Sequence, residues 1–111
     1  MSITTHVLDV AAGHPAAGIE VKLFERNRHG EWRDRGRGVT NDDGRADGLL
    51  PNGLEPSTYR LRFEVSDYFE RQGTSTFFPF VDVVFQVADP EGRYHVPLLL
   101  SPWGYSTYRG S

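Results

Sequence analysis

Histidines are the residues of this sequence best suited to proton transfer near neutral pH, and there are four of them. His6 and His95 lie inside stretches that are predicted to be strands, whereas His14 and His29 lie among turn-forming residues. Exposure without function is the simplest interpretation of the two turn histidines. A histidine within a strand more often has a structural role than a catalytic one, so residue type alone assigns no chemistry to His6 or His95.

Metal and nucleophile chemistry find little support in the sequence. The chain has no cysteine, which excludes disulfides, thiolate metal sites and a cysteine nucleophile. No two histidines have the spacing of zinc ligands, so a metal site would require His6 and His95 to meet a carboxylate through the fold. The G-x-S-x-G motif is missing, and Gly36-Arg37-Gly38, expected between strands, is too short for a phosphate-binding loop. Asp42 and Asp43 are interpreted as turn formers.

Charge and hydropathy narrow the classes of partner. The formal net charge is −3, and the five arginines between residues 26 and 37 are interrupted by Glu31 and Asp34. This stretch is interpreted as a solvated hairpin surface, and we expect no nucleic-acid partner. No apolar run approaches the roughly 20 residues that cross a membrane. The first six residues have neither a basic nor an apolar segment of a secretory signal, so we expect a cytoplasmic protein.

A period of two dominates the hydropathy pattern and predicts strands with one face on a core. The run at residues 94–101 is more continuously apolar, which indicates a strand covered on both sides. Pro97 interrupts that run, so this strand should lie at an edge of its sheet or bend at the proline. The alternating stretches are residues 3–8, 19–23, 59–65 and 81–87.

Turn chemistry between these strands predicts an antiparallel two-sheet sandwich. One segment departs from the pattern: residues 66–73 predict a short helix, with Ser66 and Asp67 as candidate N-caps and Gly73 as its stop. A length of 111 residues fits one domain, expected over residues 1–111. The predicted turns lie at residues 12–15, 27–30, 41–44, 51–53 and 89–92.

The C-terminal segment is the least ordinary part of the chain, because residues 101–111 are rich in aromatic and hydroxyl groups. Together with the preceding strand it resembles the C-terminal hallmark of the 5-hydroxyisourate hydrolases, a transthyretin-related family, and Tyr108-Arg109-Gly110-Ser111 is its most specific part. The resemblance extends in order over almost the whole chain. Its other motifs are Thr5-His6-Val7-Leu8-Asp9 with Gly13-x-Pro15-Ala16, Thr40-Asn41-Asp42-Asp43-Gly44-Arg45, and Phe77-Phe78-Pro79.

This resemblance implies a transthyretin-like sandwich, assembled as a homotetramer of two dimers with shared active sites where the dimers meet. It implies the cofactor-free hydrolysis of 5-hydroxyisourate in urate degradation. Carried over residue by residue, it makes His6, Arg45 and His95 the polar centre of the site, Tyr108 a substrate contact and Ser111 a supporting group. Two positions depart from the family pattern: Arg93 stands where a histidine is common, and Trp103 where a smaller aromatic residue is usual.

These residue types suit the opening of a lactam ring by water. A histidine can accept and return a proton around neutral pH, and a permanently charged arginine can hold carbonyl oxygens or the developing oxyanion. Tyr108 can donate a hydrogen bond while its ring packs on the planar substrate. The base can be either histidine, and we favour His6, with His95 positioning water or substrate.

Two other classes of function stay open at this point. A transthyretin-type carrier would use the same central channel for a hydrophobic ligand, and it would line that channel with apolar and small groups. A structural or adhesion sandwich would have no small-molecule site, and substitution of His6, Arg45 or His95 would then have no functional effect.

Overall fold

A computed structural model describes residues 2–50, 53 and 55–111. Nine strands and one helix follow one another in the order β1 (Ser2–Asp9), β2 (His14–Pro15), β3 (Glu20–Arg26), β4 (Trp32–Val39), β5 (Arg45–Ala46), β6 (Ser57–Phe63), α1 (Val65–Arg71), β7 (Val81–Val87), β8 (Arg93–Ser101) and β9 (Gly104–Thr107). No helix in these residues is long and apolar enough to cross a membrane.

The strands form two sheets, which confirms the predicted sandwich. The first sheet has the order β2-β1-β8-β9, with β5 also paired to β1, and the second has the order β4-β3-β6-β7. All pairs are antiparallel except β1 with β8, which run parallel from Ser2 opposite Arg93 to Asp9 opposite Leu100. This parallel pair was not predicted, because the hydropathy of a single strand carries no information on the direction of its neighbour.

The core lies between the inner faces of the two sheets. Along β1 every second residue from Ile3 to Asp9 is buried, and the residues between them are partly exposed. Each fully buried aliphatic or aromatic side chain contributes about 1.5–3 kcal/mol relative to an exposed one. Polar residues on the outer faces of the sheets lie outside this core, so the packing of the core does not restrict them. Fully buried members of the core include Val7, Leu98, Leu100, Val21, Leu23, Leu61 and Phe63.

Helix α1 forms where the sequence predicts it, but its first turn differs. The helix begins at Val65 after Glu64, and no side chain caps its N-terminus, so the prediction of Ser66 or Asp67 as the N-cap is wrong. Val65 also belongs to the helix, whereas the apolar alternation assigned it to the preceding strand; it is buried in either case. Tyr68 anchors the helix, because its hydroxyl donates a 2.7 Å hydrogen bond to the buried Asp9 carboxylate of β1.

The arginine-rich stretch forms the predicted hairpin. Its second half lies in strand β4, a complete strand that the hydropathy pattern did not predict. The Asn27 side chain accepts hydrogen bonds from the backbone N–H groups of His29 and Glu31, which closes the turn between β3 and β4. The placement of Gly36-Arg37-Gly38 between strands is wrong, because these residues lie within β4. Their strand was missed since charged residues and glycines, not apolar ones, occupy it.

Strand β8 is central in its sheet, so the prediction of an edge position from Pro97 is wrong. The regular β8–β9 ladder spans Leu98 to Ser101, and pairing resumes only as a bridge between His95 and Gly110. Pro97 lies in the interval, where its carbonyl accepts a 2.7 Å hydrogen bond from the Thr107 hydroxyl. A residue without an N–H is tolerated there because no ladder bond is lost. The predicted turn at residues 51–53 lies outside the described residues, except for Gly53.

Candidate active site

Three strands of the first sheet bring the candidate residues together on its outer face. His6 of β1 is the direct cross-strand partner of Arg45 in β5, and Thr4 of β1 is the partner of His95 in β8. Their inward-facing neighbours are buried, so these four side chains leave the sheet on the side away from the core. The parallel pairing of β1 with β8 places His6 and His95 on the same face of the sheet, although they are far apart in the sequence.

His95 is the most constrained of these side chains. Its Nδ1 atom lies 2.8 Å from the Thr4 hydroxyl, and its backbone carbonyl accepts a 2.8 Å hydrogen bond from the Gly110 N–H. Burial lowers the pKa of His95 below its ordinary value of 6.5, and the charges of Arg45 and His6 lower it further. The imidazole is therefore neutral at pH 7 and able to accept a proton.

Arg45 is positioned by the turn that precedes β5. The Asn41 side chain accepts hydrogen bonds from the backbone N–H groups of Asp43 and Arg45, at 2.9 and 3.0 Å. The Gly44 carbonyl accepts a 2.7 Å hydrogen bond from Val7 N–H, which fastens the turn to β1. Asp42 and Asp43 lie in this turn, as predicted. Among the described residues no carboxylate pairs with the Arg45 guanidinium, which leaves its charge available to a ligand.

A polar groove of about 550 Å³ lies over this group. Arg45 and His95 line it, and Ser111 reaches it from the C-terminal segment. His6 is not among its lining residues, although it is close enough to His95 to affect its pKa. Thr4 and Arg93 also line the groove and were not predicted as site residues. Arg93 could have been found from the sequence, since it alternates with His95 along one face of the strand.

Tyr108 is not brought to this groove within the chain. It is 58% exposed and lines a separate, largely apolar cleft of about 190 Å³, together with Phe85 of β7 and Val96 of β8. Arg109 lines the same cleft, with its guanidinium 4.7 Å from the centre of the Tyr94 ring. The C-terminal segment thus contributes Ser111 to the groove and Tyr108 to a different surface.

The remaining histidines lie away from the groove, and neither lines it. His29 is exposed in the β3–β4 turn, as expected, while His14 is exposed but lies in the short strand β2 rather than in a turn. Within residues 2–50, 53 and 55–111, no three His, Asp or Glu side chains are grouped in a way that could hold a metal ion.

Comparison with known proteins matches this chain to a single family. The model of the HIUase/Transthyretin family matches residues 3–110. The 5-hydroxyisourate hydrolase of Deinococcus radiodurans is 50% identical over 115 residues, covering 98% of this chain and 95% of that protein. The structure of Klebsiella pneumoniae 5-hydroxyisourate hydrolase superposes with a TM-score of 0.87 at 32% identity, covering 99% of this chain and 98% of the other. Sea bream transthyretin in complex with thyroxine superposes with a TM-score of 0.90 at 32% identity, covering 97% and 93%.

Proposed function

The chain belongs to the HIUase/Transthyretin family, and from this premise we propose that it is an enzyme that hydrolyses 5-hydroxyisourate in urate degradation. The product is 2-oxo-4-hydroxy-4-carboxy-5-ureidoimidazoline. The observation that carries the proposal is the polar group on the outer face of the first sheet, where His95, His6 and Arg45 lie together beside an open groove. We propose that residues 1–111 form a single domain that carries this site.

The proposed reaction begins with attack of water on the lactam carbonyl of the six-membered ring. A histidine takes the proton of the attacking water, and a tetrahedral oxyanion forms. Arg45 holds the substrate oxygens and stabilises this negative charge through its guanidinium. The carbon–nitrogen bond then breaks, and the histidine returns its proton to the leaving nitrogen, which becomes part of the ureido group. The carboxylic acid formed on the intact five-membered ring releases its remaining proton to solvent and becomes a carboxylate. These steps use only side chains of the protein.

His95 is favoured as the base, although the sequence slightly favoured His6. The lowered pKa of His95 keeps its ring neutral at pH 7, and only a neutral imidazole can accept a proton from water. Its Nδ1 atom is already hydrogen-bonded to Thr4, which orients the ring, whereas no hydrogen bond of the His6 ring is present among the described residues. We assign to His6 the role of a second polar contact for the substrate or the water.

The assembly is part of the proposal. We infer that the enzyme is a homotetramer of two dimers with its active sites where the dimers meet, as the family resemblance implies. Ser111 would support the site from its own subunit, since it lines the groove. Tyr108 is exposed at a separate cleft, and its proposed contact with substrate therefore has to be made at the groove of a neighbouring subunit. The cytoplasmic location expected from the sequence stays a prediction.

A carrier is the alternative function, and the superposition on a thyroxine-bound transthyretin is the observation that favours it. The residues that line the groove argue against a carrier of a hydrophobic ligand. A site for a hydrophobic ligand should be mainly apolar, whereas the groove is lined by two arginines, a histidine and three hydroxyl residues. Burial of Arg45 and Arg93 beneath an apolar ligand would leave their charges unpaired, at a cost in binding free energy.

A coupled spectroscopic assay separates the two functions. Urate oxidase generates 5-hydroxyisourate in the cuvette, and its ultraviolet absorbance is followed with and without this protein. Faster decay in proportion to protein concentration is expected of the hydrolase. Decay at the spontaneous rate, in a sample whose tetramer is verified by sedimentation, would contradict the proposal and favour the carrier.

A further inference from the structure

The imidazole ring of His95 is held at both edges. On one edge, Nδ1 lies 2.8 Å from the Thr4 hydroxyl. On the other edge, the backbone of Gly110 lies so close that a Cβ atom added there would be 2.5 Å from His95 Cδ2 and 3.2 Å from Cγ. The same Gly110 donates its backbone N–H to the His95 carbonyl at 2.8 Å. The ring therefore has little freedom to rotate about its χ2 angle.

This arrangement decides which ring nitrogen can take part in chemistry. Nδ1 and Cδ2 are both bonded to Cγ, so contacts at these two atoms leave Cε1 and Nε2 as the distal end of the ring. Nδ1 is engaged by Thr4, and no hydrogen bond of Nε2 is present among the described residues. His95 lines the groove, and its distal end is the part of the ring that a water or substrate can approach.

The charges around His95 favour one of the two neutral tautomers. The groups that face it are Arg45 of β5, His6 of β1, Arg93 of its own strand, and Ser111 of the C-terminal segment. In the described part of the chain, no Asp or Glu lines the groove. Near permanent cations, a lone pair on Nε2 is favoured over an N–H dipole, since the lone pair carries the negative end of the ring dipole. The Thr4 hydroxyl can accept as well as donate a hydrogen bond, so it can receive the Nδ1 proton.

We propose that Thr4 is a positioning residue for His95. Its hydroxyl accepts the Nδ1–H hydrogen bond and, with Gly110 against the opposite edge, it holds the unprotonated Nε2 toward the groove as the proton acceptor. This inference rests on the proposed function in one respect only, namely that His95 takes the proton of water. The tautomer and the ring orientation can be measured without any substrate.

Nuclear magnetic resonance of the ¹⁵N-labelled protein tests the tautomer directly. In the wild type at pH 7, we expect a pyrrole-type ¹⁵N shift at Nδ1 and a pyridine-type shift at Nε2 of His95. Thr4→Val removes the hydroxyl while keeping the shape, and it should move the ring toward a mixture of tautomers. Thr4→Ser should restore the wild-type shifts. A wild-type ring with its proton on Nε2, or Thr4→Val spectra identical to wild type, would overturn the proposal.

Kinetics of the same variants give the second readout. Loss of a partner that orients a metal-ligating histidine commonly costs about 10- to 100-fold, and by analogy Thr4→Val should lower kcat within that range with little change in KM. Thr4→Ser should recover most of the loss. Thr58→Val is the matched control, because Thr58 lies on the other sheet, opposite Gln86, and lines no part of the groove. A loss of kcat in the serine variant as large as in the valine variant would contradict a role for the hydroxyl.

Gly110→Ala tests the opposite edge of the ring in a background where Thr4 is intact. The added methyl group must displace either the ring or the C-terminal segment, since 2.5 Å is shorter than any ordinary carbon–carbon contact. We expect altered ring ¹H and ¹⁵N shifts of His95 and a lowered kcat in a folded protein. Unchanged His95 shifts would contradict the proposed positioning. If wild-type protein does not accelerate substrate decay at all, the proposed function fails while the tautomer measurement still tests Thr4.

Discussion

His6 and Arg45 face each other across the β1–β5 pair, so their side chains leave the outer face of the sheet side by side. Strand β5 has only two residues, and it is held in place by the turn before it. The position of the Arg45 guanidinium therefore depends on that turn more than on the core. Substitutions in this turn should therefore lower activity through Arg45, in addition to any loss of stability.

Gly44→Ala should disturb the turn that places Arg45. Gly44 has a φ of +77°, and a Cβ atom there would collide with the Val7 carbonyl oxygen. Strained backbone of this kind costs about 1–3 kcal/mol, and the collision adds to it, so urea unfolding should show at least this loss of unfolding free energy. Turnover per folded molecule should also fall, because Arg45 is displaced. The loss of activity should therefore be larger than the loss of folded protein explains.

Gly13→Ala is the matched control for this substitution. Gly13 has a φ of +83° but no atom within 4 Å of the added Cβ, so it reports the cost of the backbone conformation alone. We expect a smaller loss of stability and unchanged turnover. Equal effects of the two alanine variants on both measurements would contradict the role given to the Gly44 turn.

His95→Asn should lower kcat/KM at least about 100-fold if His95 transfers the proton. The pKa of His95 is lowered by burial and by the charges of Arg45 and His6. Since the base acts in its neutral form, the rate should fall as the imidazole becomes protonated, and this acid limb should be centred below pH 6.5. A pH–rate profile of kcat/KM measures this acid limb, which should be missing from the asparagine variant. An acid limb centred above pH 6.5 would argue against His95.

Tyr68→Phe should destabilise the protein without affecting the groove. The Tyr68 hydroxyl donates to the buried Asp9 carboxylate. The loss of a partner by a buried acceptor costs about 1–3 kcal/mol, and more when the acceptor is charged. Thermal or urea unfolding measures the loss. Tyr105→Phe is the control, because that ring is 43% exposed. A Tyr68 variant as stable as the control would show that the buried bond contributes nothing.

The same tyrosine predicts a response to alkaline pH. Burial, and then the hydrogen bond and charge of Asp9, raise the pKa of Tyr68 from 10.0 to about 12. The folded state therefore retains a proton that the unfolded state loses between these two values. Its contribution to stability is present in full below pH 10 and is lost as the pH rises through about 12. Unfolding measured between pH 9 and pH 12 should show a shallower alkaline decline in Tyr68→Phe.

The sequence allows the faces of the strands to be predicted, because apolar alternation places one side of each strand on the core. Strand β4 escaped the same argument, because Trp32 is its only large apolar residue before Val39. The position of β4 is determined by its pairing with β3, and the hydropathy pattern of one sequence does not show which strands pair.

Contacts between distant residues account for the rest of what could not be predicted. Thr4 and His95 are 91 positions apart, and a threonine in a strand has no feature that marks it as a histidine partner. Gly110 belongs to the most specific motif of the resemblance, but the motif does not show that its backbone lies against the His95 ring. Tyr108 and Ser111 are three positions apart in one motif, yet they face different surfaces, which no spacing rule anticipates.

The most direct test of the central claim compares the turnover of 5-hydroxyisourate by Arg45→Ala, Arg37→Ala and wild type in the coupled assay. Arg37 is an exposed arginine of β4, in the second sheet, and it forms an ion pair with Asp34 of the same strand. Arg37→Ala therefore removes the same charge as Arg45→Ala without altering the groove. Loss of a group that stabilises an oxyanion costs about 100- to 1,000-fold, and we expect a loss of this size for Arg45→Ala alone. Wild-type turnover by a folded Arg45→Ala protein would contradict the assignment of hydrolysis to this face.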